Sequence, residues 1–112
     1  MKITVQFFRS AGLYTGFAVS GHDEVAEDEQ FSMLCAAVSS AVQLTCNTLT
    51  ECFGVPESAV RVRPAKNQQN QIALRLQAPD TVHSEIIHGL AIHMQLLSEE
   101  FGGMLRITTR DT

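Results

Sequence analysis

The chain has 112 residues, which is enough for one domain and too few for two independent hydrophobic cores. Apolar residues make up 45% of the sequence and charged residues 18%, and this balance favours a folded chain over a disordered one. The net charge of −4 gives no overall attraction to nucleic acid, so we do not expect nucleic acid as a partner. We therefore expect residues 1–112 to form a single domain.

Neither a membrane segment nor an export signal is visible in the sequence. No run of about eighteen uninterrupted apolar residues occurs, and residues 1–9 alternate between polar and apolar instead of forming a signal peptide. The three cysteines, Cys35, Cys46 and Cys52, are odd in number and lack a CxxC spacing, which is untypical of a disulfide-bonded secreted scaffold. We therefore predict a cytoplasmic protein with no membrane partner.

The chain begins with two alternating segments. Residues 2–9 and 13–20 have apolar side chains at every second position, which predicts two half-buried strands. Their apolar faces carry Ile3, Val5, Phe7, Leu13, Phe17 and Val19. The turn cluster at 10–12 lies between them, so we predict a β-hairpin.

From Phe31 the apolar period changes to three or four residues, which predicts a helix that ends at Gly54 and Pro56. The apolar stripe consists of Phe31, Leu34, Val38, Ala41, Val42, Leu49 and Phe53. We take Ser32 as a candidate N-cap of this helix. Cys46 and Cys52 fall in its middle and end, and we expect both to be small buried side chains.

Three more strands and a second helix complete the pattern. Residues 59–63, 71–77 and 104–109 alternate as strands, and a polar turn is predicted at 66–70. The inward positions are Val60, Val62, Ile72, Leu74, Leu76, Leu105 and Ile107. The second helix has Asp80 or Thr81 as its N-cap and runs to about Phe101.

Strands with one apolar face need a cover on that face only, and the two amphipathic helices supply it. We therefore predict an α+β two-layer sandwich, a five-stranded sheet with two helices on one face and the element order ββαββαβ. Strand parity places six of the eight basic residues on the other sheet face. These residues are Lys2, Arg61, Arg63, Arg75, Arg106 and Arg110.

Two residues are candidates for chemistry. His22 follows a predicted strand at the start of a loop, where functional residues are common. Cys35 would be the third helical residue if Ser32 is the N-cap, and free backbone N–H groups and the helix dipole would then favour its thiolate. From the residues alone, Cys35 remains open as either a nucleophile or a structural side chain. The other histidines, His83, His88 and His93, are five residues apart and share no helix face, so we expect no metal site.

Five of the twelve acidic residues fall in one stretch between His22 and Phe31. They are Asp23, Glu24, Glu27, Asp28 and Glu29. Such a run is either a solvated loop or an acidic rim beside a site, and the sequence leaves both interpretations open.

Residues 20–41 contain Ser20-Gly21-His22, a loop, and then Leu34-Cys35-Ala36-Ala37-Val38-Ser39-Ser40-Ala41. This stretch resembles the ribosomal-processing cysteine protease family, usually called Prp. Members have a Gly-His, a short loop and a hydrophobic-Cys-Ala-Ala-Val-Ser helix start, and their element order is similar across the whole chain. Two differences are visible: Ser32-Met33-Leu34 stands where members usually have Asp-Ile-Val, and residues 23–31 contain no glycine.

The resemblance implies Cys35 as the nucleophile and His22 as its base, with Gly21, Ser32 and Ser39 as supporting or substrate-binding residues. It implies that the substrate is an N-terminal extension of a large-subunit ribosomal protein, that the protein forms homodimers, and that no metal or cofactor is needed. Backbone N–H groups at the helix start would stabilise the oxyanion. The alternative is a non-catalytic homologue that acts as a dimeric binding module through its arginine-rich sheet face.

Overall fold

The computed structural model describes residues 2–22, 28–63 and 70–112, with the side chains of His22 and Asn70 excepted. The elements follow the predicted order ββαββαβ, which confirms the α+β class. They are β1 (Ile3–Ser10), β2 (Leu13–His22), α1 (Glu29–Asn47), β3 (Val60–Arg63), β4 (Asn70–Arg75), α2 (Thr81–Phe101) and β5 (Leu105–Asp111). The polar turn predicted at 66–70 falls on residues 66–69 outside the described part of the chain, and its last residue, Asn70, is the first of β4.

The five strands form one mixed sheet in the order β3-β4-β2-β1-β5. β1 pairs in parallel with β5, and the other neighbours are antiparallel. β3 and β5 are therefore the edge strands. Both helices contribute to the same buried cluster as one face of the sheet, which makes the architecture the predicted two-layer sandwich.

The hydrophobic core lies between this sheet face and the helices. The side chains of Ile3, Val5 and Phe7 are fully buried, as their alternation in β1 predicts. The prediction for Val62 was wrong, because 63% of that residue is exposed. Val60 on the same face packs against the core, whereas Val62 lies further along the four-residue edge strand and remains open to solvent.

The end of the first helix differs from the simple stripe. Thr48–Cys52 form a π-helical turn. Just before this turn, the hydroxyl of Thr45 donates a hydrogen bond to the backbone carbonyl of Ala41, four residues earlier, at 2.8 Å. The widened turn changes the helical phase, so Phe53 and Cys52 are exposed rather than buried. The expectation that Cys52 is a core side chain is therefore wrong.

The second helix begins as predicted. Asp80 is its N-cap, and its carboxylate accepts a hydrogen bond from the backbone N–H of His83 at 2.8 Å. Gly102 follows the last residue with a φ of 63°, a left-handed conformation that suits glycine at a helix end. Among the residues described, no helix is both long enough and apolar enough to cross a membrane.

Candidate active site

Cys35 is half-buried on α1 and packs beside the hydrophobic core. The helix begins at Glu29, so Cys35 is its seventh residue, about two turns from the start. The prediction that Ser32 is the N-cap and Cys35 the third helical residue was therefore wrong. The positive end of the helix dipole acts within the first turn and does not reach Cys35.

Asp28 is the N-cap that the sequence analysis missed. Its carboxylate accepts hydrogen bonds from the backbone N–H groups of Gln30 at 2.8 Å and Phe31 at 3.3 Å. Its carbonyl oxygen accepts from the N–H of Ser32 at 3.0 Å. These three N–H groups are engaged within the helix start, and the donors that would stabilise an oxyanion stay a prediction.

Three of the predicted site residues, Ser32, Cys35 and Ser39, lie on one flank of α1, because they are spaced by three and four residues. This flank adjoins the buried stripe that contains Leu34 and Val38. Ser32 is exposed and Ser39 is half-buried, so the flank is partly open to solvent. A hydroxyl thus lies about one helical turn before Cys35 and another about one turn after it.

The opposite flank of α1 faces the second helix. Ala37 and Ala41 line a groove of about 500 Å³ together with Ile86 and Gly89 of α2. Because Cys35 lies on the other side of the buried stripe, its flank points away from α2. Among the described residues, Cys35 therefore lies on the side of α1 that is not packed against the second helix.

Gly21 has a φ of +94°, and a Cβ atom at this position would overlap the carbonyl oxygen of Lys2. Only glycine fits such a position without a backbone shift. His22 follows it as the last residue of β2, and its backbone is paired with that of Asn70. The register between β2 and β4 shifts just before this pair, so the Gly-His sequence lies at an irregular strand end. The side chain of His22 lies outside the described part of the structure, and its pairing with Cys35 stays a prediction.

The other two cysteines have different environments. Cys46 is buried, as predicted, and burial raises the pKa of its thiol to about 11. Cys52 is exposed on the π-helical turn. A neutral, buried Cys46 does not compete with Cys35 as a nucleophile, whereas Cys52 is open to thiol reagents.

The acidic run is split by the helix start. Asp28 is the N-cap and Glu29 is in the first helical turn, where a negative charge is favourable. Asp23, Glu24 and Glu27 lie outside the described residues. Two of the five acids therefore have a structural role in starting α1.

The remaining histidines lie along α2. The imidazole of His83 is mostly buried and meets the ring of Phe53 edge to face, and that of His88 stacks on Tyr14. His93 is exposed beside the groove between the helices. Within the described ranges, no group of three or more His, Cys, Asp or Glu side chains is arranged to hold a metal ion.

Comparison with known proteins identifies a family and several similar structures. The family model of cysteine protease Prp matches residues 2–105. The fold is similar to SMU.848 from Streptococcus mutans, with a TM-score of 0.82, 16% identity and 100% of both chains covered. A comparison with curated proteins gives no match.

Two structures of the essential ribosomal processing protease Prp from S. aureus also match. The complex with a substrate peptide has a TM-score of 0.76 at 14% identity. The complex with a covalently linked product peptide has a TM-score of 0.69 at 18% identity. In both comparisons 96% of this chain and 99% of the other are covered. Because the family model spans nearly the whole chain, the protein belongs to the Prp family of cysteine proteases.

Proposed function

We propose that this cysteine protease removes the N-terminal extension of a large-subunit ribosomal protein, with Cys35 as nucleophile and His22 as general base. The observation that carries the proposal is the Prp family match over residues 2–105, a range that contains Gly21-His22 and Cys35. The S. aureus protease with a similar fold binds a substrate peptide, and a product peptide becomes covalently linked to it.

In this mechanism His22 takes the proton of the Cys35 thiol, and the thiolate attacks the carbonyl carbon of the scissile peptide bond. The C–N bond breaks as the imidazolium of His22 returns the proton to the leaving amine. Water then hydrolyses the thioester, which restores the thiol and releases the new carboxylate. No metal or cofactor takes part.

The surroundings of Cys35 support a peptide-binding role for its flank of α1. Ser32 lies one turn before Cys35 and is exposed, so its hydroxyl is available to a bound peptide. Ser39 lies one turn after it and is half-buried. Gly21 allows the positive φ just before His22, where a Cβ atom would overlap the carbonyl oxygen of Lys2. We propose supporting roles for these three residues.

We also propose that residues 1–112 form one catalytic domain that works as a homodimer in the cytoplasm. The support for a dimer is the apolar surface of the helix layer. Met33, Leu44, Ile92 and Leu96 are each more than half exposed, and Leu44 borders the groove between the helices. Exposed apolar surface of this kind is commonly buried between copies of a small chain.

The test uses a synthetic peptide that contains the extension and the first residues of the mature ribosomal protein from the same organism. Mass spectrometry should show one cleavage by the wild-type enzyme and none by Cys35→Ala. Cys52→Ala is the matched control and should cleave normally, since that thiol lies on the exposed π-helical turn. Absence of cleavage by the wild type, or full cleavage by Cys35→Ala, would contradict the proposal and favour a non-catalytic binding module.

A further inference from the structure

The sheet face that points away from the helices carries five arginines. They are Arg61 and Arg63 on β3, Arg75 on β4, and Arg106 and Arg110 on β5. All five are exposed, and both helices lie on the other side of the sheet. We call this surface the arginine face, and the protease site described above does not use it.

One row of the arginine face runs from β5 to β4 through Arg110, Phe8, Gly16 and Arg75, which are neighbours in the strand registers. The guanidinium carbon of Arg75 lies 4.8 Å from the centre of the Phe8 ring. It reaches the ring across Gly16, which has no side chain in the way. The guanidinium of Arg75 is thus held on an aromatic ring, and its other surface is left for a planar partner such as a base.

Small and polar side chains occupy the centre of the arginine face. They are Thr4, Gln6, Ala18, Ser20 and Ala73, all of them half-buried. The five strands span about 19 Å from edge to edge at the usual strand spacing. The centre of the arginine face is therefore a flat surface of short side chains, and the edge strand on each side of it carries two arginines.

The described part of the chain places few acidic residues near this face. The described acidic residues lie on helices, short turns and helix caps, with the exception of Asp111 on β5. Asp111 pairs with Arg9 at 2.9 Å, and strand parity places both on the other side of the sheet. Among the described residues, none forms an ion pair with the five arginines of the face. Within the described ranges, the five arginines therefore contribute five positive charges that no carboxylate pairs with.

These features discriminate among possible occupants. A second copy of the chain would place ten arginines against one another, which is unfavourable. An acidic protein would need apolar anchors at the centre of the interface, and Phe8, the large apolar side chain on this face, is already covered by Arg75. A phosphate backbone needs only guanidinium donors, and single strands lie readily on an open sheet.

We propose that the arginine face binds single-stranded RNA through its phosphate backbone. The proposal departs from the expectation based on the net charge of −4, which sums surfaces that point in opposite directions. Screening at physiological ionic strength acts over about 8 Å, so a strand on this face is attracted by the arginines more than it is repelled by the acids of the helix layer. RNA is chosen over DNA because most single-stranded nucleic acid in a cell is RNA.

The test measures fluorescence anisotropy of a labelled oligouridylate of about 12 nucleotides with the full chain at several salt concentrations. If all five arginines contact phosphates, the logarithm of the binding constant should fall with the logarithm of salt concentration with a slope of about −3.5. The triple variant Arg61→Gln, Arg63→Gln, Arg75→Gln should lower the magnitude of that slope by about 2. It should weaken binding at low salt by tenfold or more.

Arg9→Gln is the matched control, because it removes one positive charge from the side of the sheet opposite the arginine face. It should leave RNA binding within about twofold of wild type. Cys35→Ala should also bind RNA normally, and the triple variant should cleave peptide normally, so failure of the protease proposal and failure of this one are distinguishable. Circular dichroism confirms that each variant is folded.

The following results would overturn the proposal. The first is the absence of RNA binding at low salt. The second is an equal loss of affinity in Arg9→Gln and in a single variant such as Arg61→Gln, which would indicate general attraction rather than a face. The third is preferential binding of duplex DNA over single-stranded RNA, or dissociation of a dimer by the triple variant, since either assigns the face to another occupant.

Discussion

Asp28 and Cys35 lie on the same helix seven residues apart, so the capping carboxylate is about 10 Å from the cysteine along the helix axis. The backbone N–H groups near the start of α1 are engaged by Asp28, and Cys35 is beyond the first turn. If Cys35 is the nucleophile, we therefore expect activation of its thiol to depend on a neighbouring side chain, with His22 as the proposed one, rather than on the helix start. This makes the contribution of His22 measurable.

We predict that iodoacetamide labels Cys35 about tenfold faster than Cys52 at neutral pH, because the proposed base His22 would take the proton of the Cys35 thiol. Cys46 should be labelled slowest, since it is buried. Mass-spectrometric mapping of each cysteine over time measures the rates. The variant His22→Ala should slow Cys35 to the rate of Cys52, and an unchanged rate in that variant would argue against His22 as the base.

The N-cap yields a stability prediction that separates Asp28 from Ser32. Asp28→Ala should lower the free energy of unfolding by about 0.5–2 kcal/mol, because two backbone N–H groups lose their acceptor. Ser32→Ala should change it by less than about 0.5 kcal/mol, since Ser32 is an exposed helical residue. Urea melts of the two variants measure the difference. A larger loss in Ser32→Ala would restore Ser32 as the helix cap.

Burial of Cys46 predicts a pH dependence of stability. Its pKa is raised to about 11, so between about pH 8.5 and 11 the folded state binds more protons at this thiol than the unfolded state does. The contribution of Cys46 to stability is therefore present below about pH 8.5 and lost as the pH rises to 11. The difference in unfolding free energy between wild type and Cys46→Ala should shrink over this window. A constant difference across it would contradict the assigned pKa.

The sequence predicts the fold well where periodicity is strong. The alternation of Ile3, Val5 and Phe7 predicts the buried face of β1, because only a period of two places successive apolar residues on one side of a sheet. Val62 follows the same rule and is exposed, because parity identifies a face but not how far the helices extend over it. Whether a strand lies at the edge depends on the assembled sheet, so the sequence of one strand does not reveal it.

Three local features limited prediction of the site from the sequence: the start of α1, the π-helical turn at its end and the loop between the motif residues. Asp28, Glu29 and the buried Phe31 together favour an earlier helix start than Ser32, and that signal was present in the sequence as an acid followed by an apolar residue at the third helical position. Exposure of Cys52 depends on the π-helical turn, which a regular period of 3.6 does not reveal. The motif residues His22 and Cys35 are separated by a loop, and sequence spacing across a loop does not fix a distance.

The last prediction concerns the acids that precede the cap. If Asp23, Glu24 and Glu27 flank the active site, their charges should attract a basic peptide, and neutralising all three as Asn, Gln and Gln should weaken binding of a lysine-bearing peptide. Asp28 is kept in this variant, since its removal would also shorten the helix. The wild-type preference for the basic peptide should fade as salt rises, because screening acts over about 10 Å at 0.1 M salt.

The same variant should show a second effect of opposite sign. Fewer negative charges near Cys35 favour its thiolate, so alkylation by a small neutral reagent should become faster while peptide binding becomes weaker. A peptide with its lysines replaced by glutamine is the control for the binding measurement and should bind both proteins equally. Weaker binding together with faster alkylation would place the acids beside the site. No change in either measurement would identify residues 23–27 as a solvated loop, because charges that neither attract the peptide nor affect the thiol lie beyond the reach of both.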